Sequence, residues 1–96
     1  MVEYLYDAIK AVAGQEITVN AYITDNEENL ITENCEMVIY DDGHEVCSCS
    51  GVYLPEDQFW AFTFSADATL GLKGRYLYCI RHDGKNLCFL QPIYLV

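Results

Sequence analysis

The fold is decided by Leu70-Gly71-Leu72-Lys73-Gly74-Arg75-Tyr76-Leu77-Tyr78-Cys79-Ile80, which leads into an Asp83-Gly84 turn and a second apolar run, Leu87 to Val96. Side chains alternate between the two faces of a strand, so Tyr76, Tyr78 and Ile80 share one face. Glycines before the strand and the Asp-Gly pair after it allow the tight turns that such a segment needs. The stretch predicts a β-hairpin that closes a small all-β domain, with Gly74, Tyr76 and Tyr78 as structural residues.

Composition predicts one domain, residues 1–96, with a strong acidic bias. The 96 residues carry 5 Lys and Arg against 15 Asp and Glu, a net charge of −10, and 52% are hydrophobic. The hydrophobic content favours a folded core, and the charge repels polyanions, which disfavours nucleic-acid and anionic-membrane partners. The first residues lack a secretory pattern, and no run approaches the roughly 18 apolar residues of a membrane span. We expect synthesis and folding in a cytoplasm, and no membrane partner.

Period-two alternation and turn residues at roughly ten-residue spacing mark seven strands. This count matches a single Ig-like antiparallel β-sandwich. The first segment also fits helical spacing through Leu5, Ala8, Ile9 and Val12, so strand and amphipathic helix both remain open, and one helical turn is expected near 66–72. The predicted strands are Tyr4 to Val12, Glu16 to Thr24, Cys35 to Tyr40, Glu45 to Ser50, Phe59 to Ser65, Arg75 to His82 and Leu87 to Val96.

The cysteines invite a zinc site, but their spacing favours a structural role. His44, Cys47 and Cys49 offer three ligands within six residues, yet this is not zinc-knuckle spacing, and a regular strand puts His44 opposite the two thiols. In a reducing cytoplasm thiols pack as small apolar groups. We expect no metal and reduced, structural cysteines at Cys35, Cys47, Cys49, Cys79 and Cys88.

An acidic loop resembles a calcium site in its spacing alone. Asp25, Glu27, Asn29 and Glu36 fall at the ligand positions of an EF-hand loop, but Leu30 stands where the sharp turn requires Gly. The flanks alternate as strands rather than helices, so the loop is interpreted as a solvated hairpin connection.

Catalytic patterns are weak. Neither His44 nor His82 adjoins a thiol in a recognisable signature, and the paired carboxylates lie in predicted exposed turns. Gly71 and Gly74 precede a strand rather than a helix, which excludes a phosphate-binding loop of the usual kind. We expect no enzyme activity, no catalytic residues and no cofactor.

The aromatic residues suggest a partner. The strand Phe59 to Phe64 and the run Leu87 to Leu90 are apolar on both faces, whereas a sandwich needs one inner face per strand. Either these strands lie centrally under a long loop, or another chain covers them, since aromatics are enriched at interfaces. The candidate interface residues are Phe59, Trp60, Phe62, Phe89, Tyr22 and Tyr40.

The order of these motifs resembles the Ig-like domains of tailed-phage virion proteins, most closely the N-terminal domains of baseplate upper proteins. The resemblance rests on Gly14-Gln15 before an alternating strand and on Gly74, Tyr76, Tyr78 and Ile80, which match a Gly-x-Tyr-x-Tyr-x-Ile pattern. Gln15 replaces the Asp of that family, and the cysteine and acidic contents also depart from it. In such sandwiches a tyrosine hydroxyl ties a crossing loop to the sheet, so we expect Tyr76 to be a buried corner residue.

The resemblance implies a non-enzymatic structural protein of the virion, in a capsid-decoration, head-fibre, tail or baseplate role. Its partners are then other virion proteins, including further copies of itself. The alternative is a small acidic inhibitor that mimics DNA to occupy the cleft of a host nucleic-acid-binding protein. Mimicry favours a regular array of carboxylates on one surface, whereas here the pattern places them in turns at both ends of the strands, which favours assembly.

Overall fold

The computed structural model describes residues 2–4, 9–87 and 90–96, and most of these residues form β-strands. The all-β class is confirmed, with one short helix where a helical turn is predicted. The elements are β1 Val2–Tyr4, β2 Ile9–Ala11, β3 Ile17–Ile23, β4 Cys35–Asp41, β5 His44–Leu54, β6 Phe59–Phe64, α1 Ala66–Thr69, β7 Gly74–His82, β8 Lys85–Asn86 and β9 Gln91–Leu95.

The strands follow one hydrogen-bonded path, in the order β1-β3-β6-β5-β4-β7-β9-β2, with β8 paired to β7. Every pairing is antiparallel except that of β2 with β9. The path curls into a nearly closed, barrel-like structure. Its two end strands, β1 and β2, are neighbours in sequence.

Strand β5 connects the two halves of this path. Its residues 44–50 pair with β4, whereas 51–54 pair with β6. The sequence predicts a strand that ends at Ser50, and the structure corrects this boundary to Leu54. Gly51 stands at the change of partner, opposite Phe62. A Cβ at Gly51 would lie 2.6 Å from Phe62 Cε1 and 2.7 Å from Trp60 Cε3, so only glycine lets these two rings cover the backbone.

The core is built by alternating residues, as the sequence predicts for β3. Ile17, Val19, Ala21 and Ile23 are buried, while the side chains between them are not. Strand β6 meets them with three large inward side chains, Trp60, Phe62 and Phe64, because its register sets Val19 opposite Phe62. The Trp60 indole donates from Nε1 to the carbonyl oxygen of Ile31 at 2.7 Å, which fixes the long β3–β4 loop against the core.

The closing hairpin forms as predicted, and Tyr76, Tyr78 and Ile80 face the core. Asp83 and Gly84 both have positive φ, the requirement of a two-residue type I′ turn. The predicted last strand is shorter than expected, since β9 begins at Gln91.

The first predicted segment, Tyr4 to Val12, is not one strand. Val2–Tyr4 pairs with β3, and Ile9–Ala11 pairs with β9, so the segment serves both sides of the barrel. Both pieces are strands, which favours the strand interpretation over the helix. Leu5 and Ala8, on which the helical alternative partly rests, lie outside the described residues.

Candidate interaction surface

The structure corrects the predicted interface at two positions. Trp60 and Phe62 belong to the core, with 4% and 0% of their surface exposed, so neither side chain is available to a partner. Phe59 lies on the other face of β6, half-buried, with its ring edge-to-face against Tyr22 at 5.9 Å between centroids. Tyr40 is half-buried on β4, and Phe89 lies outside the described residues. The six residues therefore do not form one surface.

A different apolar surface lies on the outside of the β4–β7 pair. Val38 and Cys79 are paired across these strands and fully buried, yet neither belongs to the core cluster. Their neighbours on each strand, Met37, Ile39, Tyr78 and Ile80, fill the core instead, so Val38 and Cys79 must point away from it. The sheet here has an apolar layer on both sides.

We call this side of β5, β4, β7, β9 and β2 the outer face. One row across it reads Glu45, Tyr40, Leu77 and Pro92, each paired with the next. The following row reads Arg75, Tyr94 and Lys10.

Exposed apolar groups border these rows. A register shift makes Val46 the extra residue beside Tyr40, a β-bulge, and leaves Val46 38% exposed. Tyr94 is 44% exposed. Sequence reasoning missed Leu77, Pro92 and Tyr94, although their alternation opposite the core residues of β7 and β9 is the signal that identifies them.

Arg81 lies on the outer face near the end of β7 and forms a polar border there. Its Nε donates to Glu36 Oε1, and its Nη2 donates to Glu45 Oε1 at 3.2 Å. Glu36 lies two residues before Val38 on β4, and Glu45 on β5 pairs with Tyr40, two residues after Val38. The guanidinium that contacts both carboxylates therefore lies across Val38 and helps to cover the buried pair. Burial raises the pKa of the Tyr40 phenol, which is also hydrogen-bonded to Cys79.

The acidic charge concentrates at one end of the barrel. The β3–β4 loop, the β5–β6 turn and the β7–β8 turn all lie at this end, since the backbone N–H of Asp83 donates to Asn34 O and Trp60, two residues after the β5–β6 turn, reaches Ile31 O. Lys85, the first residue after the β7–β8 turn, lies at the same end. These three connections carry seven carboxylates: Asp25, Glu27, Glu28, Glu33, Glu56, Asp57 and Asp83.

The strand register brings together a cysteine, a histidine and an aspartate that the sequence does not. Cys35 is opposite His82 across β4 and β7, with Sγ 3.9 Å from Nδ1. His82 Nε2 lies 3.2 Å from Asp83 Oδ2, and Nδ1 lies 3.2 Å from the carbonyl oxygen of Asn34. Burial, with a smaller effect from the charge of Asp83, raises the pKa of Cys35 to about 11. A nucleophilic thiol needs the opposite shift, so this cluster lacks the activation that cysteine catalysis requires.

The candidate zinc ligands lie only partly as the sequence analysis expects, because the bulge at Val46 sets His44 opposite Asp41, on the same side of β5 as Cys47 and Cys49 rather than on the opposite side. Cys47 and Cys49 pack against the core beside Ile39 and Met37, whereas His44 is exposed at the start of β5. Burial raises the pKa of Cys49 to about 12 and raises that of Cys47 as well, so both thiols keep their protons. Within the described ranges, no cluster of three or more His, Cys, Asp or Glu side chains could hold a metal ion.

The loop that resembles a calcium site uses its first carboxylate for the backbone. Asp25 Oδ1 accepts N–H groups from Glu27 at 2.8 Å and Asn29 at 3.0 Å. These two hydrogen bonds hold the pKa of Asp25 below its ordinary value, and the one from Asn29 has the larger effect. The carboxylate therefore organises the turn, as aspartate does in Asx-turns.

Tyr76 ties the loop before β7 to its own strand. Its hydroxyl accepts the Lys73 N–H at 3.0 Å and contacts the Lys73 carbonyl at 3.3 Å. The predicted corner contact is present, but Tyr76 is half-buried rather than buried. Gly74, which begins β7 with φ 108°, is exposed, and Tyr78 is fully buried in the core.

No protein-family model matches this chain, and a search of the curated proteins returns no match either. In the part of the chain that is described, no helix is long and apolar enough to cross a membrane. Functional assignment rests on the outer face, on the charge distribution and on the resemblance seen in the sequence.

Proposed function

We propose that this chain is a non-enzymatic structural protein of a bacteriophage virion that acts by protein–protein assembly. The observation that carries the proposal is the outer face, where Leu77 and Pro92 are half-buried and Tyr94 is exposed beside the buried Val38 and Cys79. The largest apolar patch on a monomeric protein is typically a few hundred Å² and is often a binding site. Tyrosine is also among the residues that dominate interface energetics, and the outer face presents Tyr40 and Tyr94.

We propose that this barrel-like structure is an Ig-like β-sandwich whose two halves are its two sheets. One half contains β1, β3, β6 and the end of β5, and the other contains β2, β9, β7, β4 and the start of β5. Core strands paired as β3 with β6 and β4 with β7 are the arrangement of Ig-like sandwiches. A short helical turn before β7 and the hydroxyl contact of Tyr76 support the same interpretation.

The virion assignment comes from the resemblance to the Ig-like domains of tailed-phage proteins. The Gly74-x-Tyr76-x-Tyr78-x-Ile80 pattern carries it, and these residues form the closing hairpin and its contacts with the core. The role within the particle is capsid decoration, head fibre, tail or baseplate. The protein is made in the host cytoplasm, takes no cofactor and binds other virion proteins.

The test is mass spectrometry of purified particles from cells that produce the chain. A peptide signal in constant proportion to the major capsid or tail proteins is the expected result. Leu77→Lys places a charge in the centre of the outer face and should remove the chain from particles. Val52→Lys is the matched control, since Val52 is 60% exposed on the half of β5 that pairs with β6. Absence of the wild-type chain from all particles contradicts the proposal.

The acidic end supports a second candidate, inhibition of a host nucleic-acid-binding protein. Seven carboxylates at one end, accompanied by Lys85, form a field that attracts a basic cleft and repels polyanions. This candidate predicts that the chain captures a DNA-binding protein and that added DNA displaces it. The double change Glu56→Lys with Asp57→Lys should weaken this binding. The assembly candidate predicts no effect of DNA or of this double change.

A further inference from the structure

We propose that the outer face binds the outer face of a second copy of this chain, around a two-fold axis that runs parallel to the strands over β7. This inference rests on the proposed function, because it names the partner for the assembly surface. The argument is the charge arrangement across the face, together with the matching apolar centre.

The outer face has opposite charges at its two edges. Glu45 lies on β5, at one end of the row Glu45, Tyr40, Leu77 and Pro92. Lys10 lies on β2, beyond β9 at the other end. Both side chains are exposed. Since β7 is the middle strand of these five, the two charges stand two strands to either side of it.

A two-fold axis parallel to the strands pairs each strand with the one equally far on the other side of β7. Glu45 then faces the β2 edge of the second copy, close to Lys10, and the same contact recurs by symmetry. Tyr40 faces Pro92 of the second copy, and Leu77 faces its own equivalent. An axis perpendicular to the strands would instead place Glu45 against the β5 edge of the other copy, acid near acid.

Two charged side chains of the outer face, Arg75 and Arg81, lie on β7 near this axis. Arg81 is already paired with Glu36 and Glu45 of its own chain, so Arg75 is the charge that needs a partner in the dimer. It faces its equivalent, but continuing the β4–β7 register by two residues sets the turn residue Asp42 level with it. The two arginines therefore lie between two aspartates of the dimer. Arg75 and Asp42 are both exposed, so each can reorient toward the other copy.

The expected dimer is weak. Five strands at a spacing of about 4.8 Å and seven residues at about 3.3 Å each define a face of roughly 19 by 23 Å, on the order of 400 Å². Stable interfaces bury about 800 Å² per partner, so this face fits a weak and reversible association. Two bodies of charge −10 also repel each other, and added salt should screen that repulsion.

Charge reversal with mixing tests the inference. Lys10→Glu makes both edges acidic, and Glu45→Lys makes both edges basic. Each variant alone should dimerise about tenfold more weakly than wild type, because two attractive contacts become repulsive. An equimolar mixture of the two variants should recover association, since each acidic edge then meets a basic one. Sedimentation equilibrium across a concentration series measures all three samples.

Controls separate this outcome from misfolding and from other interfaces. Leu77→Lys should abolish association, whereas Val52→Lys should leave it unchanged, and circular dichroism should be the same for every variant. A wild-type monomer at all concentrations and salts, or a mixture that associates no better than either variant alone, overturns the inference. Particle incorporation without dimerisation leaves the proposed function standing, and dimerisation without incorporation leaves the inference standing while the virion assignment fails.

Discussion

Replacing Gly51 with alanine tests the feature that joins the two halves of the barrel. Gly51 is the residue at which β5 leaves β4 and begins to pair with β6. It lacks a positive φ, so alanine can adopt its backbone conformation, and any loss of stability must come from the added methyl group. The methyl group meets Phe62 and Trp60, whose rings stack at 6.0 Å between centroids.

The magnitude follows from the contact distances. The new Cβ would lie 2.6 Å from one ring and 2.7 Å from the other, about 1 Å closer than the optimum of roughly 3.5–4.0 Å for carbon atoms. Both rings are buried and both contacts are shorter than 3.0 Å, so relieving the overpacking costs about 2.5–3 kcal/mol, the upper part of the usual range. Alanine also restricts the unfolded chain, which offsets about 0.4–1 kcal/mol. We expect Gly51→Ala to lower the free energy of unfolding by about 2 kcal/mol.

Urea denaturation followed by tryptophan fluorescence measures this loss, since Trp60 is the single tryptophan. For a domain of this size, about 2 kcal/mol corresponds to a fall in melting temperature of roughly 8–16 °C. Ser50→Ala, on the exposed neighbour, is the control and should change stability by less than about 0.5 kcal/mol. In a Phe62→Leu background the cost of Gly51→Ala should shrink by about 1 kcal/mol, because one clashing ring is gone. A Gly51→Ala protein as stable as wild type refutes the close approach of these rings.

Three further predictions use contacts elsewhere in the barrel. Tyr76→Phe removes the hydroxyl contacts with Lys73 and should cost about 1 kcal/mol in the same assay; an unchanged denaturation midpoint denies the hydroxyl this role. Thr69→Val leaves the Gly14 N–H without its 3.1 Å partner and should cost about 1–2 kcal/mol, while Thr69→Ser should preserve most of the stability. The thiols of the described cysteines should react slowly with a disulfide reagent at pH 8, because burial raises their pKa values, as it does for Cys49. Native mass spectrometry that finds one zinc ion per chain would contradict the structural role of these cysteines.

The local features of the fold are those that sequence reasoning predicts well. Alternation identifies β3, β6 and β7, and the Asp-Gly pair identifies the last hairpin, since both signals depend on neighbours in the chain. The boundary at Gly51 is different. Glycine commonly ends a strand, and the reason that it continues one here is the pair of rings 9 and 11 residues later, which no local pattern contains.

The surface was harder to predict, for a related reason. The aromatic surplus of β6 indicates an interface only if one face of the strand is enough for the core, but the barrel takes Trp60, Phe62 and Phe64 inward on that one face. What remains outside is Phe59, which packs on Tyr22. The outer face depends instead on which strands flank β7, and this order is set by long-range pairing. The same holds for Cys35 and His82, which are 47 residues apart in sequence.

The distribution of charge bears on both proposed functions at once. An end with seven carboxylates cannot pack closely against the same end of another copy, so repulsion disfavours end-to-end association and leaves the sides of the barrel for contact. On the outer face the acidic groups Glu36 and Glu45 are partly neutralised by Arg81, and Lys10 and Arg75 lie nearby. Charge balance and apolar surface therefore coincide on this side. A DNA mimic would need the acidic end alone, whereas the proposed assembly would cover the half-buried Leu77 and the exposed Tyr94 beside the buried Val38 and Cys79.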